Sequence, residues 1–181
     1  MKLKIPNILT IGRIIIVPIF VVTFFIPGFF GDLIPFFLFV LASFTDYLDG
    51  LLARLFKEES KLGEILDPIA DKILVTFLIL SLSLELSSIF IGMVGGIILV
   101  REFWVGALRD LNARQNNPDA TKVSLLAKTK TFIQFITFSS YLFGLALNNS
   151  LILFTSNFLL FLALIITLQT GLSYTMATFK K

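Results

Sequence analysis

Four aspartates lie close together in the sequence, at spacings that bring their side chains onto shared helix faces. Asp46 and Asp49 are three residues apart, and Asp67 and Asp71 are four residues apart. In a helix, each spacing puts both carboxylates on one face. Carboxylates gathered at one place repel each other unless cations lie between them, and Mg²⁺ and Mn²⁺ prefer oxygen ligands. The residues therefore predict a site for two divalent cations, which can clamp the oxygens of a phosphoryl group in transfer.

Two small residues and an arginine accompany the first aspartate pair. Gly50 and Ala53 leave space for a bulky group against the helix, and the planar guanidinium of Arg54 suits a phosphate. The alternative is that the acids form structural ion pairs with Arg54 and Lys72. We favour the cation site, because ion pairing alone does not explain four acids beside two small residues.

Composition limits both the chemistry and the solvent. The 181 residues include no Cys and no His, which excludes disulfides, thiolate nucleophiles, Ser-His-Asp triads and His-ligated metals. Hydrophobic residues make up 56% of the chain, 21 of them Phe, and charged residues 15%. A soluble domain is about 45–50% apolar and about 25% charged. We therefore expect an integral membrane protein, and no nucleic-acid partner.

Apolar stretches long enough to cross a bilayer nearly exhaust the chain, since a helical span needs about 20 residues. The predicted spans are 7–27, 33–56, 66–86, 89–109, 124–147 and 151–177. The sequence thus predicts an all-α integral membrane protein with six transmembrane helices, forming a single domain over residues 1–181. Gly92 and Gly96, with Gly95 beside them, permit close approach between helices.

Basic residues predict the orientation of these spans. Lys and Arg concentrate at both chain ends and in the second and fourth connections, and they are missing from the first, third and fifth. The positive-inside rule then puts both termini in the cytoplasm. Residues 57–63 are predicted to form a cytoplasmic turn between antiparallel neighbouring helices. All four aspartates would therefore lie near the cytoplasmic face, in a membrane that we expect to be the bacterial cytoplasmic membrane.

The whole stretch resembles a known family signature. It reads Asp46-x2-Asp49-Gly50-x2-Ala53-Arg54-x8-Gly63-x3-Asp67-x3-Asp71 and matches the signature of the CDP-alcohol phosphatidyltransferases without a departure. The resemblance implies that Asp46, Asp49 and Asp67 ligate two metal ions, and that Asp71 lies at the metal site as the general base. It also implies six spans and a homodimer. The nucleotide site that it implies consists of Asp49, Gly50, Ala53, Arg54 and Gly63.

Shorter segments resemble the phosphatidylglycerophosphate synthases of that family. They are Pro6–Arg13, Arg101-Glu102, Ala107–Arg109 and Ala127–Thr131, where Ala127 replaces a glycine. The resemblance implies transfer of a phosphatidyl group from CDP-diacylglycerol to glycerol 3-phosphate. The tails of CDP-diacylglycerol would lie among the membrane lipids. Another acceptor remains an alternative: inositol phosphate, serine, or phosphatidylglycerol as in a cardiolipin synthase.

A dianionic acceptor needs cations near the metals. Arg101, Arg109, Lys128 and Lys130 lie near the cytoplasmic ends of the fourth and fifth spans and could converge on one phosphate. The alternative is that they anchor helix ends in anionic headgroups.

The start of the first span carries three further candidates. Asn7, Thr10 and Arg13 could contact the nucleotide or a phosphate, although Asn7 could equally be a helix cap. A small cation transporter is the alternative from another class. It would place the acids near mid-membrane and carry paired half-repeats, and the sequence shows neither. A non-enzymatic scaffold would leave the placement of the charges unexplained.

Overall fold

The computed structural model describes residues 5–26, 28–56, 61–115, 117 and 125–180. Within the helices, the side chains of residues 5–8, 29–32, 47, 49–56, 61, 62 and 64 lie outside this description. Six α-helices and no β-strand occupy the described residues. The helices are α1 (Ile5–Phe24), α2 (Phe29–Phe56), α3 (Lys61–Glu85), α4 (Ile89–Arg114), α5 (Leu125–Ala146) and α6 (Ser150–Phe179).

The prediction of six helices is confirmed, but several helix ends differ from the predicted span ends, most of all in α3 and α4. α3 begins at Lys61 and α4 continues to Arg114, several residues beyond the apolar stretches. The predicted turn over 57–63 is therefore wrong for residues 61–63, and residues 57–60 lie outside the described part of the chain. Hydropathy sets the ends of an apolar stretch but not the ends of a helix, since Lys, Arg and Glu are good helix formers.

Two tight turns of the same design join neighbouring helices. Ser87 and Asn148 adopt positive φ values of 45° and 47°. The next residue in each case caps the following helix: the Ser88 hydroxyl and the Asn149 side-chain oxygen accept backbone N–H groups at 3.3 and 3.0 Å. Such N-caps satisfy donors that have no partner within the helix. The helix pairs α3–α4 and α5–α6 are thus antiparallel hairpins.

The packing of the helices forms a closed circuit. α1 packs against α2 and α3, α6 packs against α4 and α5, and the contacts α3–α4 and α2–α5 join the two groups. All six helices contribute to one buried apolar cluster, represented by Phe20, Phe39, Leu78, Ile98, Phe138 and Leu160. The circuit therefore surrounds a common core.

Large apolar side chains cover the outside of the circuit. Val100, Phe154 and Phe158 are between 68% and 72% exposed, and many others resemble them. Soluble monomers rarely expose continuous apolar surface of this kind, whereas a bilayer favours it. α4 and α6 are long and apolar enough to cross a membrane, and 9–24 and 33–46 are shorter apolar stretches in α1 and α2.

Glycines allow α3 and α4 to approach closely. A Cβ atom built on Gly95 would lie 2.4 Å from the Ile79 side chain, and one on Gly92 would lie 2.8 Å from the Ser83 hydroxyl. Gly96 faces open space, with nothing within 4 Å of the same position. Close packing is therefore confirmed, but the contact uses Gly92 and Gly95 rather than the predicted pair Gly92 and Gly96.

Candidate active site

Arg13 of α1 lies between acids of two other helices. Its side chain is 1% exposed, and one guanidinium nitrogen, Nη1, donates to the carboxylates of both Asp46 on α2 and Asp71 on α3. The distance to Asp46 Oδ1 is 2.6 Å. Because a single nitrogen contacts both, these two signature carboxylates face each other across one positive charge.

A second contact from the same face of α1 reaches a third signature acid. The Thr10 hydroxyl donates to Asp67 Oδ1 at 2.6 Å. Thr10 and Arg13 are three residues apart, and Asp67 and Asp71 are four apart, so both pairs share a helix face. The contacts run in the same order along both helices, which shows that α1 and α3 are parallel. α1 thus gathers the acids that the sequence places on separate helices.

The carboxylates lie above the arginine and remain accessible. The side chains of Asp46 and Asp71 are 46% and 51% exposed, whereas Arg13 beneath them is buried. Charged hydrogen bonds of this kind are strong, and they counter the mutual repulsion of the acids. The buried guanidinium of Arg13 therefore holds the two exposed carboxylates in a position where a ligand can reach them.

The oxygen donors at this place suit hard cations. Asp46 and Asp71 already share one positive charge, and carboxylates are the ligands that Mg²⁺ and Mn²⁺ prefer. Among the described side chains, no three acids lie close enough together to hold a metal ion. Asp49, the remaining expected ligand, lies outside them. The residues present fit a divalent-cation site.

Several predicted residues lie where their side chains are not described. Asn7, Asp49, Gly50, Ala53 and Arg54 belong to helical backbone, but their surroundings fall outside the described side chains. Their predicted roles stay predictions. Gly63 is described and is buried in the first turn of α3.

A second polar cluster joins α4, α5 and α6. Glu102 accepts from the Lys130 ammonium and, at 3.2 Å, from the Arg101 guanidinium. Arg101 also donates to the Thr170 hydroxyl at 2.6 Å. Arg101 and Lys130 are both 7% exposed. Arg101 therefore forms an ion pair with its chain neighbour Glu102, and Lys130 joins the same carboxylate.

A third cation belongs to this cluster. The Arg109 guanidinium lies 5.8 Å from the centre of the Tyr174 ring, and it is close enough to Arg101 and Lys130 for electrostatic interaction. With Glu102 as the only described acid in contact with Arg101 and Lys130, the group carries net positive charge. Lys128 is exposed, and it lies about 200° around the helix axis from Lys130, because the two are two positions apart. Three of the four predicted cations thus converge.

The acidic and basic clusters lie at the same level of the molecule. Lys72, the neighbour of Asp71, places its ammonium 4.6 Å from the centre of the Phe103 ring. The same ammonium lies 3.2 Å from the position of a Cβ on Gly106. Phe103 and Gly106 are on α4 between Arg101 and Arg109. The α3–α4 contact therefore sets the carboxylates beside the cations.

Comparison with known proteins identifies the family. The sequence profile of the CDP-alcohol phosphatidyltransferases matches residues 3–169. The chain belongs to this family.

Named relatives align over nearly the whole chain. A protein of Rickettsia bellii is 38% identical over 172 residues, which cover 94% of this chain and 93% of that protein. A protein of Wigglesworthia glossinidia brevipalpis is 34% identical over 169 residues, covering 91% and 93%. The Escherichia coli (strain K12) relative is 30% identical over 174 residues, covering 96% and 94%. All three are named CDP-diacylglycerol–glycerol-3-phosphate 3-phosphatidyltransferase.

This member of the CDP-alcohol phosphatidyltransferases has a buried stripe beside Arg101 that sequence reasoning missed. Thr167, Thr170, Gly171 and Tyr174 are buried and follow one face of α6. A Cβ on Gly171 would lie 3.0 Å from Cγ of Arg101 and 3.1 Å from its Nε, so the glycine makes room for that side chain. The spacing of these residues, read as helical periodicity in an otherwise apolar span, could have revealed the stripe.

Proposed function

We propose that this protein transfers the phosphatidyl group of CDP-diacylglycerol to glycerol 3-phosphate, giving phosphatidylglycerophosphate and CMP. The acceptor comes from the relatives' names, which cover nearly the whole chain. The observation that carries the chemistry is that one face of α1 contacts Asp46, Asp67 and Asp71, while the side chains of Asp46 and Asp71 stay about half exposed.

Asp46, Asp49, Asp67 and Asp71 would hold two divalent cations, Mg²⁺ or Mn²⁺. The support is the donor chemistry, since carboxylate oxygens of two helices share a single positive charge in Arg13. When bound, the ions would neutralise the diphosphate and the departing CMP. The signature residues Asp49, Gly50, Ala53, Arg54 and Gly63 would hold the nucleotide, with Asn7 near it.

Asp71 would act as the general base. It would accept the proton of an acceptor hydroxyl as that oxygen attacks the β-phosphorus of CDP-diacylglycerol. The new bond joins the acceptor oxygen to phosphorus, and the bond from the β-phosphorus to the bridging oxygen breaks, so that CMP leaves. The exposure of this carboxylate and its fixed position over Arg13 support the role.

The basic cluster would hold the phosphate of the acceptor. Arg101, Arg109 and Lys130 offer three cations against the carboxylate of Glu102, a balance that suits a dianion. A phosphate would take over donors that now point at Glu102. Lys128 is exposed on another side of α5 and would act by attraction at longer range.

The enzyme would lie in the bacterial cytoplasmic membrane as a homodimer with six spans and both termini in the cytoplasm. The apolar exterior and the distribution of Lys and Arg among the connections support this topology. The clusters occupy the end of the helices where these basic residues collect. Both would therefore face the cytoplasm, which supplies a water-soluble acceptor.

An acceptor comparison tests the proposal. Detergent-solubilised protein receives CDP-diacylglycerol, Mg²⁺ and one acceptor at a time: glycerol 3-phosphate, inositol phosphate, serine or phosphatidylglycerol. Of the four acceptors, we expect only glycerol 3-phosphate to give CMP release. Excess chelator should abolish this release. CMP release with a different acceptor, and none with glycerol 3-phosphate, would refute the acceptor while keeping the chemistry.

A further inference from the structure

The first helix carries a feature that the reaction itself does not use. On α1, Arg13 and Thr10 are 1% exposed and point their polar groups at carboxylates of α2 and α3. A buried arginine in a membrane protein is costly, so its retention calls for a partner and a purpose. We propose that Arg13 and Thr10 are positioning residues, which hold the metal-ligating carboxylates in place and thereby raise the affinity of the site for divalent cations. This inference rests on the metal site in the proposed function.

The argument begins with charge. Four aspartates at one end of two helices would separate or take up protons without a counter-charge. Arg13 supplies a permanent positive charge, because a guanidinium does not lose its proton in proteins. Its Nη1 contacts both Asp46 and Asp71, so one atom fixes the distance between α2 and α3 carboxylates. The acids are thereby held together by the chain itself.

The exposure of the carboxylates shows whether Arg13 positions them or competes with a metal ion for them. A competing arginine would cover the carboxylates and have to leave when a metal ion binds. Here the guanidinium is buried beneath Asp46 and Asp71, which are about half exposed. Both acids are therefore accessible from outside while Arg13 holds them from below.

Thr10 extends the same arrangement to Asp67 through an uncharged group. Its hydroxyl bond of 2.6 Å orients that carboxylate without changing the charge of the site. Groups that orient metal ligands in this way are worth about 10–100-fold in metal affinity. Thr10 therefore separates the effect of orientation from the effect of charge.

Manganese binding without substrate tests the inference. The full-length protein in detergent is titrated with Mn²⁺, and free Mn²⁺ is measured by electron paramagnetic resonance. We expect Arg13→Met and Thr10→Val each to weaken binding about tenfold or more, with Arg13→Lys and Thr10→Ser recovering most of the loss. Thr23→Val is the matched control, because the Thr23 hydroxyl bonds only to the α1 carbonyls of Ile19 and Phe20 among described partners.

Each outcome has a distinct meaning. Unchanged or tighter Mn²⁺ binding in Arg13→Met and Thr10→Val would overturn the positioning role and leave the proposed function intact. If Arg13→Met does not fold, judged by gel filtration and circular dichroism, the pair Thr10→Val and Thr10→Ser decides. Wild-type protein that binds no Mn²⁺ would overturn the metal site and, with it, this inference. CMP release would then test the transferase activity separately.

Discussion

At the scale of single residues, the proposed base is the most exposed of the described signature acids. Asp71 keeps its carboxylate in place through Arg13, so an amide at this position retains the shape and loses the ability to accept a proton. We expect Asp71→Asn to fold and to release CMP roughly 10²–10⁴-fold more slowly.

The control for this variant is another acid. Asp110→Asn removes a carboxylate that is exposed and paired with Arg114 on the same helix at 2.7 Å. Surface ion pairs of this kind contribute little, so its rate should match that of the wild type. A wild-type rate in Asp71→Asn would remove this residue from the role of base.

Lys128 and Lys130 form a second matched pair at this scale. Lys130 is buried against Glu102, and Lys128 is exposed. Lost hydrogen bonds to charged groups cost about 1.5–3 kcal/mol, or about 10–100-fold in affinity. We expect Lys130→Gln to raise the KM for glycerol 3-phosphate by that factor with little change in the KM for CDP-diacylglycerol. Lys128→Gln should produce a smaller rise, and equal effects would argue against the buried cluster as the phosphate site.

Sequence reasoning found these residues but not their partners. The spacing of Asp67 and Asp71 correctly indicated a shared helix face. Arg13 was expected near a nucleotide or phosphate, and its structural partners are Asp46 and Asp71. Helical spacing shows which residues share a face, whereas packing between helices decides which faces meet. No local pattern contains that information.

At the scale of helices, apolar length predicted all six elements but not their ends. Lys61 was assigned to a turn and begins α3, because polar helix formers extend a helix beyond its apolar part. Gly92 and Gly96 were expected to share one interface. In the structure Gly92 and Gly95 lie at that interface and Gly96 does not, since α3 contacts the neighbouring stripe of α4.

The glycines of α4 yield a prediction for stability. Gly95→Ala would place a methyl group 2.4 Å from the Ile79 side chain, and overpacking of this kind costs about 1–3 kcal/mol. Gly96→Ala meets open space and should stabilise the helix by about 0.5–1 kcal/mol. Thermal unfolding in detergent should therefore show a lower midpoint for the first variant and an unchanged or higher one for the second. The reverse order would contradict the α3–α4 contact described above.

At the scale of the whole molecule, the circuit of helices explains how residues of distant segments come to lie near one another. The acids belong to α2 and α3, the cations to α4 and α5, and the α3–α4 hairpin brings both groups to one level. Composition predicted a membrane protein. The helical spacing of the aspartates and the family signature predicted an acidic site. The order of packing, in which α1 contacts both acidic helices, is absent from the sequence because it arises from contacts among all six helices.

The described ion pairs have a consequence for biosynthesis. Arg13 neutralises acids of α2 and α3, Glu102 neutralises cations of α4 and α5, and Asp110 pairs with Arg114. Every one of these pairs lies within residues 1–85 or within residues 89–181. As the chain leaves the ribosome, the first three helices already contain a counter-ion for Asp46 and Asp71. These two acids can therefore enter the lipid paired with Arg13 before the last three helices have been synthesised.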